Sequence, residues 1–170
     1  MDVFNVISKR QSYRGTFTDA MVSREDLIKI VQAGLDAPSG CNAQSTSFVI
    51  VDKPTLIASI AKLLGDRVVC KTAKAMIVCV CDKKPVYGKL SFYIEDCAAA
   101  VENMLIAIAA LGYSTVWLDG VIRGDVGVEI GKLLNIPAEL EVRVLLPIGV
   151  AQTQTAKPAK KSFDERARFA

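Results

Sequence analysis

The sequence predicts an α+β domain, with helices flanking a central mixed or antiparallel sheet. Three observations predict it. Residues 75–81, Ala-Met-Ile-Val-Cys-Val-Cys, form an unbroken apolar run of strand length, as expected of a strand buried on both faces. Stretches of helical period alternate with three other short strand-like runs. A long alanine- and leucine-rich stretch carries no polar side chain between Asn103 and Gly112, and an all-apolar helix must be covered on every side.

The elements follow in chain order. Residues 2–9 place Val3, Phe4, Val6 and Ile7 at the spacing of a short amphipathic helix. Ser23 is the cap of a second helix, with Glu25 and Asp26 in its first turn, Leu27, Ile30 and Val31 on one face, and an end near Gly34. A strand spans 48–51. A third helix starts at Asp52-Lys53-Pro54 and ends at Gly65. Residues 75–81 are a strand, and Cys79 and Cys81, two apart, share one of its faces. A polar connection, 82–93, leads to the long helix. That helix opens on Glu95 and Asp96, which suit the positive end of a helix dipole, and stops at Gly112, where a left-handed cap is wanted. It is either an interior helix or one that also forms a subunit interface. A strand over 113–117, a helix over 125–135 and a closing strand over 142–150 complete the domain. Alternation alone does not set the strand order.

A chain of 170 residues, 51% apolar and 23% charged, buries about 70% of its extended-chain surface as one domain. No repeat, linker or low-complexity segment divides residues 1–170. No basic head precedes the first apolar residues, so a cytoplasmic location is expected. Glu102 and Asn103 interrupt the one long apolar stretch, which excludes a membrane span. Five scattered cysteines, Cys41, Cys70, Cys79, Cys81 and Cys97, read as free thiols, with Cys41 as a small filler. With no histidine in the chain, Ser-His and Cys-His mechanisms are excluded, and no ligand set for zinc is complete. The net charge is only +3. Lys157, Lys160, Lys161, Arg166 and Arg168 stand against Asp164 and Glu165 in the last nineteen residues, so the tail holds the whole excess. A basic tail on a neutral body fits a small anion better than a nucleic acid, which wants a broad basic face. Residues 152–170 have too little apolar surface to fold alone, so this extension must lie over something, such as a partner subunit.

Two stretches carry candidate chemistry. In Arg10-Gln11-Ser12-Tyr13-Arg14, two guanidiniums four apart with a hydroxyl between them can grip a phosphate. The same residues also suit a solvated helix end. The loop Ala37-Pro38-Ser39-Gly40-Cys41-Asn42-Ala43-Gln44 is explained by turn chemistry, or by amides that read the edge of a polar heterocycle.

Together these segments resemble the nitroreductase family of flavin mononucleotide (FMN) enzymes, over most of the chain. The matching pieces are Arg10, Ser12, Arg14 and Phe17; Ala37, Pro38, Ser39, Asn42 and Gln44; the alanine-rich helix leading through Trp117 to Gly120; Leu133, Leu134, Ile136 and Pro137; and Ile148-Gly149 before a basic tail. The resemblance implies a homodimer with two flavin sites at its interface, and it favours the interface reading of the long helix. It implies that Arg10, Gln11, Ser12 and Arg14 hold the phosphate and ribityl chain. Lys160 or Lys161 would complete that anion site, with Arg166 and Arg168 as further candidates. Asn42 and Gln44 would approach the ring from the other subunit, with Ser39 close by. Leu118, Asp119 and Gly120 would offer backbone amides to the N5–O4 edge. No side chain is expected to act as acid or nucleophile. The implied activity passes hydride from NAD(P)H to an electron-poor acceptor, a nitroaromatic or quinone, in a ping-pong cycle. A flavin-binding storage or sensor protein and a flavin-free phosphate-binding module are the alternatives. The sequence departs from the family in having Ser45-Thr46-Ser47 where Pro-Trp often follows the glutamine, Gln11 at an expected basic position, and a short connection over 82–93, which leaves the site open.

Overall fold

The computed structural model describes residues 2–170. The elements run α1 (Val3–Lys9), α2 (Arg24–Leu35), β1 (Thr46–Val51), α3 (Pro54–Leu63), α4 (Val68–Lys71), β2 (Ala75–Cys81), α5 (Tyr93–Ala110), β3 (Ser114–Thr115), α6 (Asp125–Leu133), β4 (Glu141–Gly149) and α7 (Phe163–Arg166). Local chemistry explains most boundaries. The Asp2 and Ser23 side chains accept from the amides of Asn5 and Asp26, closing the first turns of α1 and α2. Pro54 occupies the first turn of α3. Every residue of β2 is buried, as its unbroken apolar run requires.

Three elements differ from expectation. β3 is two residues long rather than five, because the chain leaves the sheet at Val116 and rejoins it only at a bridge between Leu118 and Leu145. α4 and α7, four residues each, are too short to show a period. α7 is stabilised locally, with the Ser162 amide donating to Glu165 at 2.8 Å.

The four strands are antiparallel throughout, in the order β1-β2-β4-β3. The N-terminal segment supplies the parallel contact, a bridge from Ser12 to Thr115 on the free side of β3. The pleat sorts β2 into two cores. Met76, Val78 and Val80 face α3, α4 and α6; Ala75, Ile77, Cys79 and Cys81 face α2 and α5. Cys79 and Cys81 do share a face, where they meet Cys97 of α5. Sharing a hydrogen bond with Cys79, with burial adding to it, pushes the Cys97 thiol up to about 12. Tyr113 donates to Asp26 at 2.8 Å and ties the start of α2 to the end of α5.

α5 is not covered on every side within one chain. Asp96, Cys97, Val101, Met104, Leu105 and Ile108 are buried, but Ile94, Ala110 and Leu111 are exposed. Exposed apolar side chains also line α1 (Phe4, 76%) and α2 (Ile28, 63%). From Gln152 onward every residue is exposed. The root of this tail touches the N-terminal segment: Gln11 donates to the Thr155 carbonyl at 3.0 Å, and Lys157 donates to the Ser8 carbonyl.

Candidate functional site

The N-terminal motif is presented by its own anchors. Tyr13 and Phe17 are buried, with ring centroids 5.4 Å apart, and Phe17 lies so close over Gly149 that a Cβ there would stand 2.6 Å from the ring. The Tyr13 amide donates to the Thr115 carbonyl at 2.8 Å. With Tyr13 turned inward in extended chain, Ser12 and Arg14 turn outward, and both are exposed. Arg10 lies against α5, its Nε 3.6 Å from Glu102. Arg14, Lys160 and Lys161 form no ion pair among the described residues. The tail cation that reaches this segment is Lys157, which was not among the candidates.

The loop 39–45 is held by a carboxylate. Asp96, buried near the start of α5, accepts from the Gly40 amide at 2.7 Å and from the Ser45 hydroxyl at 2.6 Å. Ser39 Oγ accepts from the Gln44 amide at 3.0 Å. Phe92 packs on Gly40, where a Cβ would lie 2.3 Å from its ring. Clamped this way, Cys41, Asn42 and Gln44 all sit at positive φ, 53°, 54° and 51°. Such conformations cost non-glycine residues of order 1 kcal/mol each and persist only where the surroundings over-determine them. The Asn42 and Gln44 side chains are exposed and make no hydrogen bond among the described residues. Asp96 went unrecognised because two acids at a helix start read as dipole partners; nothing in the sequence shows that one of them reaches back 56 residues.

The turn 118–120 corrects one expectation. The Leu118 amide donates to the Leu145 carbonyl at 3.1 Å and is already used. The Asp119 and Gly120 amides donate to no other backbone carbonyl among the described residues. The Asp119 carboxylate takes a fork from Arg123, at 2.8 and 2.9 Å, and lies 3.5 Å from Arg143. The hydrogen bonds from Arg123 hold its carboxyl below the usual carboxylate range.

These pieces do not meet inside one chain. The loop enters β1 at one edge of the sheet and the N-terminal segment lines the other, four strand spacings or roughly 19 Å away. They also lie towards opposite ends of β2, since Thr46 pairs with Cys81 while Thr115 connects through Ile148 to Ala75. The cavity beside the loop, about 40 Å³ and lined in part by Ser39, Gln44, Thr46 and Asp96, has room for a water but not for a heterocycle. A larger cleft of about 520 Å³ lies between α6 and the start of β4. It is lined by none of the predicted residues, and its cations are matched internally: Arg123 with Asp119, Arg143 with Asp119 and Glu141, Lys132 with Glu129.

Comparison with known proteins agrees with this architecture. The sequence model of the Nitroreductase family matches residues 7–92 and 71–150. A protein of Archaeoglobus fulgidus with the provisional name NADH dehydrogenase/NAD(P)H nitroreductase is 30% identical over 148 residues, 87% of this chain and 84% of the relative. A Methanothermobacter thermautotrophicus protein of the same provisional name is 30% identical over 151 residues, 88% of this chain and 77% of the relative. The structure of an FMN-dependent nitroreductase from Clostridium difficile R20291 covers 98% of both chains with a TM-score of 0.84 at 23% identity, a likeness of fold. The matches to the family run from residue 7 in the first helix to the closing strand, and this chain is a member of the nitroreductase family.

Proposed function

We propose that this chain is one protomer of a homodimeric, FMN-dependent enzyme that passes hydride from NAD(P)H to an electron-poor acceptor, a nitroaromatic or quinone, in a ping-pong cycle. The chain is an oxidoreductase by family; the cofactor assignment, the route and the acceptor class are the proposal. The observation that carries it is the pair of polar sets at opposite edges of the sheet, in which Arg14, Asn42 and Gln44 have side chains with no hydrogen bond or ion pair among the described residues. One is cationic: Arg10, Ser12 and Arg14 with Gln11, and Lys160 and Lys161 nearby in sequence to the tail root that docks there. This set fits a phosphate dianion and ribityl hydroxyls. The other is amide-bearing, Asn42 and Gln44 with Ser39, and fits the polar edge of a ring. Since one chain holds them apart, a second copy related by a two-fold axis brings the loop of one protomer to the cationic segment of the other.

Surface area supports the second copy. A monomeric globular protein of 18.3 kDa exposes roughly 8,100 Å², whereas this chain exposes 10156 Å². The excess, about 2,000 Å², is the share one protomer contributes to an extensive permanent interface. The uncovered apolar flanks of α1, α2 and α5 and the extended tail supply it. We place residues 152–170 on the partner's surface, within one domain spanning 1–170.

When bound, FMN supplies two-electron chemistry at N5, which an acid or nucleophile of the protein need not assist. The chain's residues do the rest. The two arginines neutralise the phosphate; the Asp119 and Gly120 amides orient the reactive edge; and the strained loop keeps Asn42 and Gln44 aimed without reorganisation. The connection 82–93 carries a tight turn over 86–90, where the Val86 amide donates to the Leu90 carbonyl at 2.9 Å, and it is too short to roof the ring, so nicotinamide and acceptor use one open face in turn.

Cofactor extraction from native protein, sedimentation, and anaerobic addition of NADH and NADPH test this. A yellow dimer bleached by a nicotinamide is the expected result. A yellow protein that neither nicotinamide bleaches is a flavin carrier, and a colourless monomer that FMN does not reconstitute removes the proposal.

A further inference from the structure

We propose that Arg143 is a positioning residue: set on a β-bulge in β4, it grips Asp119 and keeps the Asp119 and Gly120 amides aimed in one direction. This assignment rests on the flavin reading for its purpose but not for its geometry. In the β2–β4 ladder Cys79 pairs with Val144 and Val80 with Val142, so Arg143 is the extra residue. Burial records the same slip. Val144, Leu146 and Ile148 face the α5 core, yet Val142, two residues earlier, faces the α6 core. An unbroken strand would put Val142 and Val144 on one face. The inserted residue is the one cation of β4, whose only other charged residue is Glu141, and its side chain is only 12% exposed. Its guanidinium lies 3.5 Å from both Asp119 and Glu141.

Arg123 also holds Asp119, by a fork at 2.8 and 2.9 Å, but from the surface, with 59% of its side chain exposed, where solvent and salt screen a pair more than they screen a buried one. Arg143 sits where screening is weak and where the bulge leaves its side chain few alternatives. The turn it steadies has one amide committed to Leu145 and another, that of Ile122, committed to the Asp119 carbonyl at 2.9 Å. These two bonds flank Asp119 on either side, so holding its carboxylate steadies the turn between them and the orientation of the two open amides.

Hydrogen exchange, followed by mass spectrometry on purified full-length chain without added flavin, reads this directly. In Arg143→Gln, exchange at Leu118 and Ile122 rises roughly tenfold while β2 and α5 stay unchanged. Arg143→Lys, which keeps the charge, restores most of the protection, and Arg123→Gln changes it less than Arg143→Gln does. Visible circular dichroism of the FMN-loaded variants then shows a changed flavin band in Arg143→Gln only. Unaltered exchange at Leu118 and Ile122, or a rise spread equally over β2 and α5, overturns the positioning role. If the exchange result holds but the native chain takes up no FMN, it is the flavin reading that fails and the clamp that stands.

Discussion

The loop 39–45 and the tail 152–170 both carry groups proposed to meet the flavin, and they are held in opposite ways. The loop is bonded to a buried carboxylate, packed under Phe92 and kept in three left-handed conformations. The tail is exposed along its whole length, tied to the rest of the chain at Gln11 and Ser8, with Phe163 and Phe169 stacked on each other rather than on a core. One protomer preorganises the first and cannot preorganise the second. On the proposed reading, folding sets the groups that read the ring, and assembly sets the lysines that grip the phosphate.

The largest expected effect separates the two. Ending the chain at residue 151 leaves a folded core with native far-ultraviolet circular dichroism but dissociates the dimer. It weakens FMN binding roughly 100-fold or more, the sum of at least two charge-assisted contacts. A truncated chain that stays dimeric and yellow breaks the comparison. Asp96→Ala acts on the loop instead. It strands two donors on a buried site, costs about 3 kcal/mol, and lowers the melting temperature by roughly 6–12 °C.

Arg10→Ala sharpens the contrast between binding and folding. Losing a charge-assisted phosphate contact costs about 1.5–3 kcal/mol of FMN affinity, read by titration. The Arg10–Glu102 pair, half-exposed on the acid's side, contributes less than about 1 kcal/mol to stability, so melting barely moves. Glu102→Gln should leave FMN affinity intact; a matching loss would mean that Arg10 serves Glu102 rather than phosphate.

Thiol labelling probes the loop's position. Cys41 is exposed while Cys70, Cys79, Cys81 and Cys97 are buried, and burial pushes Cys70 up to about 11. One thiol therefore reacts in native protein, and saturating FMN slows it several-fold if the partner's ring covers the loop. Labelling that ignores FMN places the loop elsewhere.

The smallest effect is a pH dependence. Asp119 is held below its unfolded pKa of about 3.9, chiefly by Arg123. Its contribution is present above that value and lost as pH falls through the lower folded one. Asp119→Asn is then less stable than the native chain at neutral pH, and the gap closes in acid below about pH 4. A gap that persists there assigns the effect to packing.

Much of this was legible in residue order. The short helix within 2–9, the cap at Ser23, the doubly buried strand 75–81 and the alanine-rich helix each follow from short-range chemistry, and each formed where expected to within a few residues. The positions that escaped depend on partners distant in sequence. Asp96 acts across 56 residues. Arg143 gave a signal, the one cation of its strand, but its meaning needed the bulge. Lys157 looked like any other tail lysine until the tail root lay on α1.

By itself the sequence determined the period of each element, the absence of histidine, and the order of the motifs that mark the family. Those are properties of neighbours along the chain. Tertiary structure alone decided that the cationic segment and the amide loop stand at opposite edges of one sheet, that Leu118 has no amide to spare, and that a buried carboxylate holds the loop. Strand order and hydrogen-bond partners are set by which distant surfaces bury each other, and no local pattern encodes that choice.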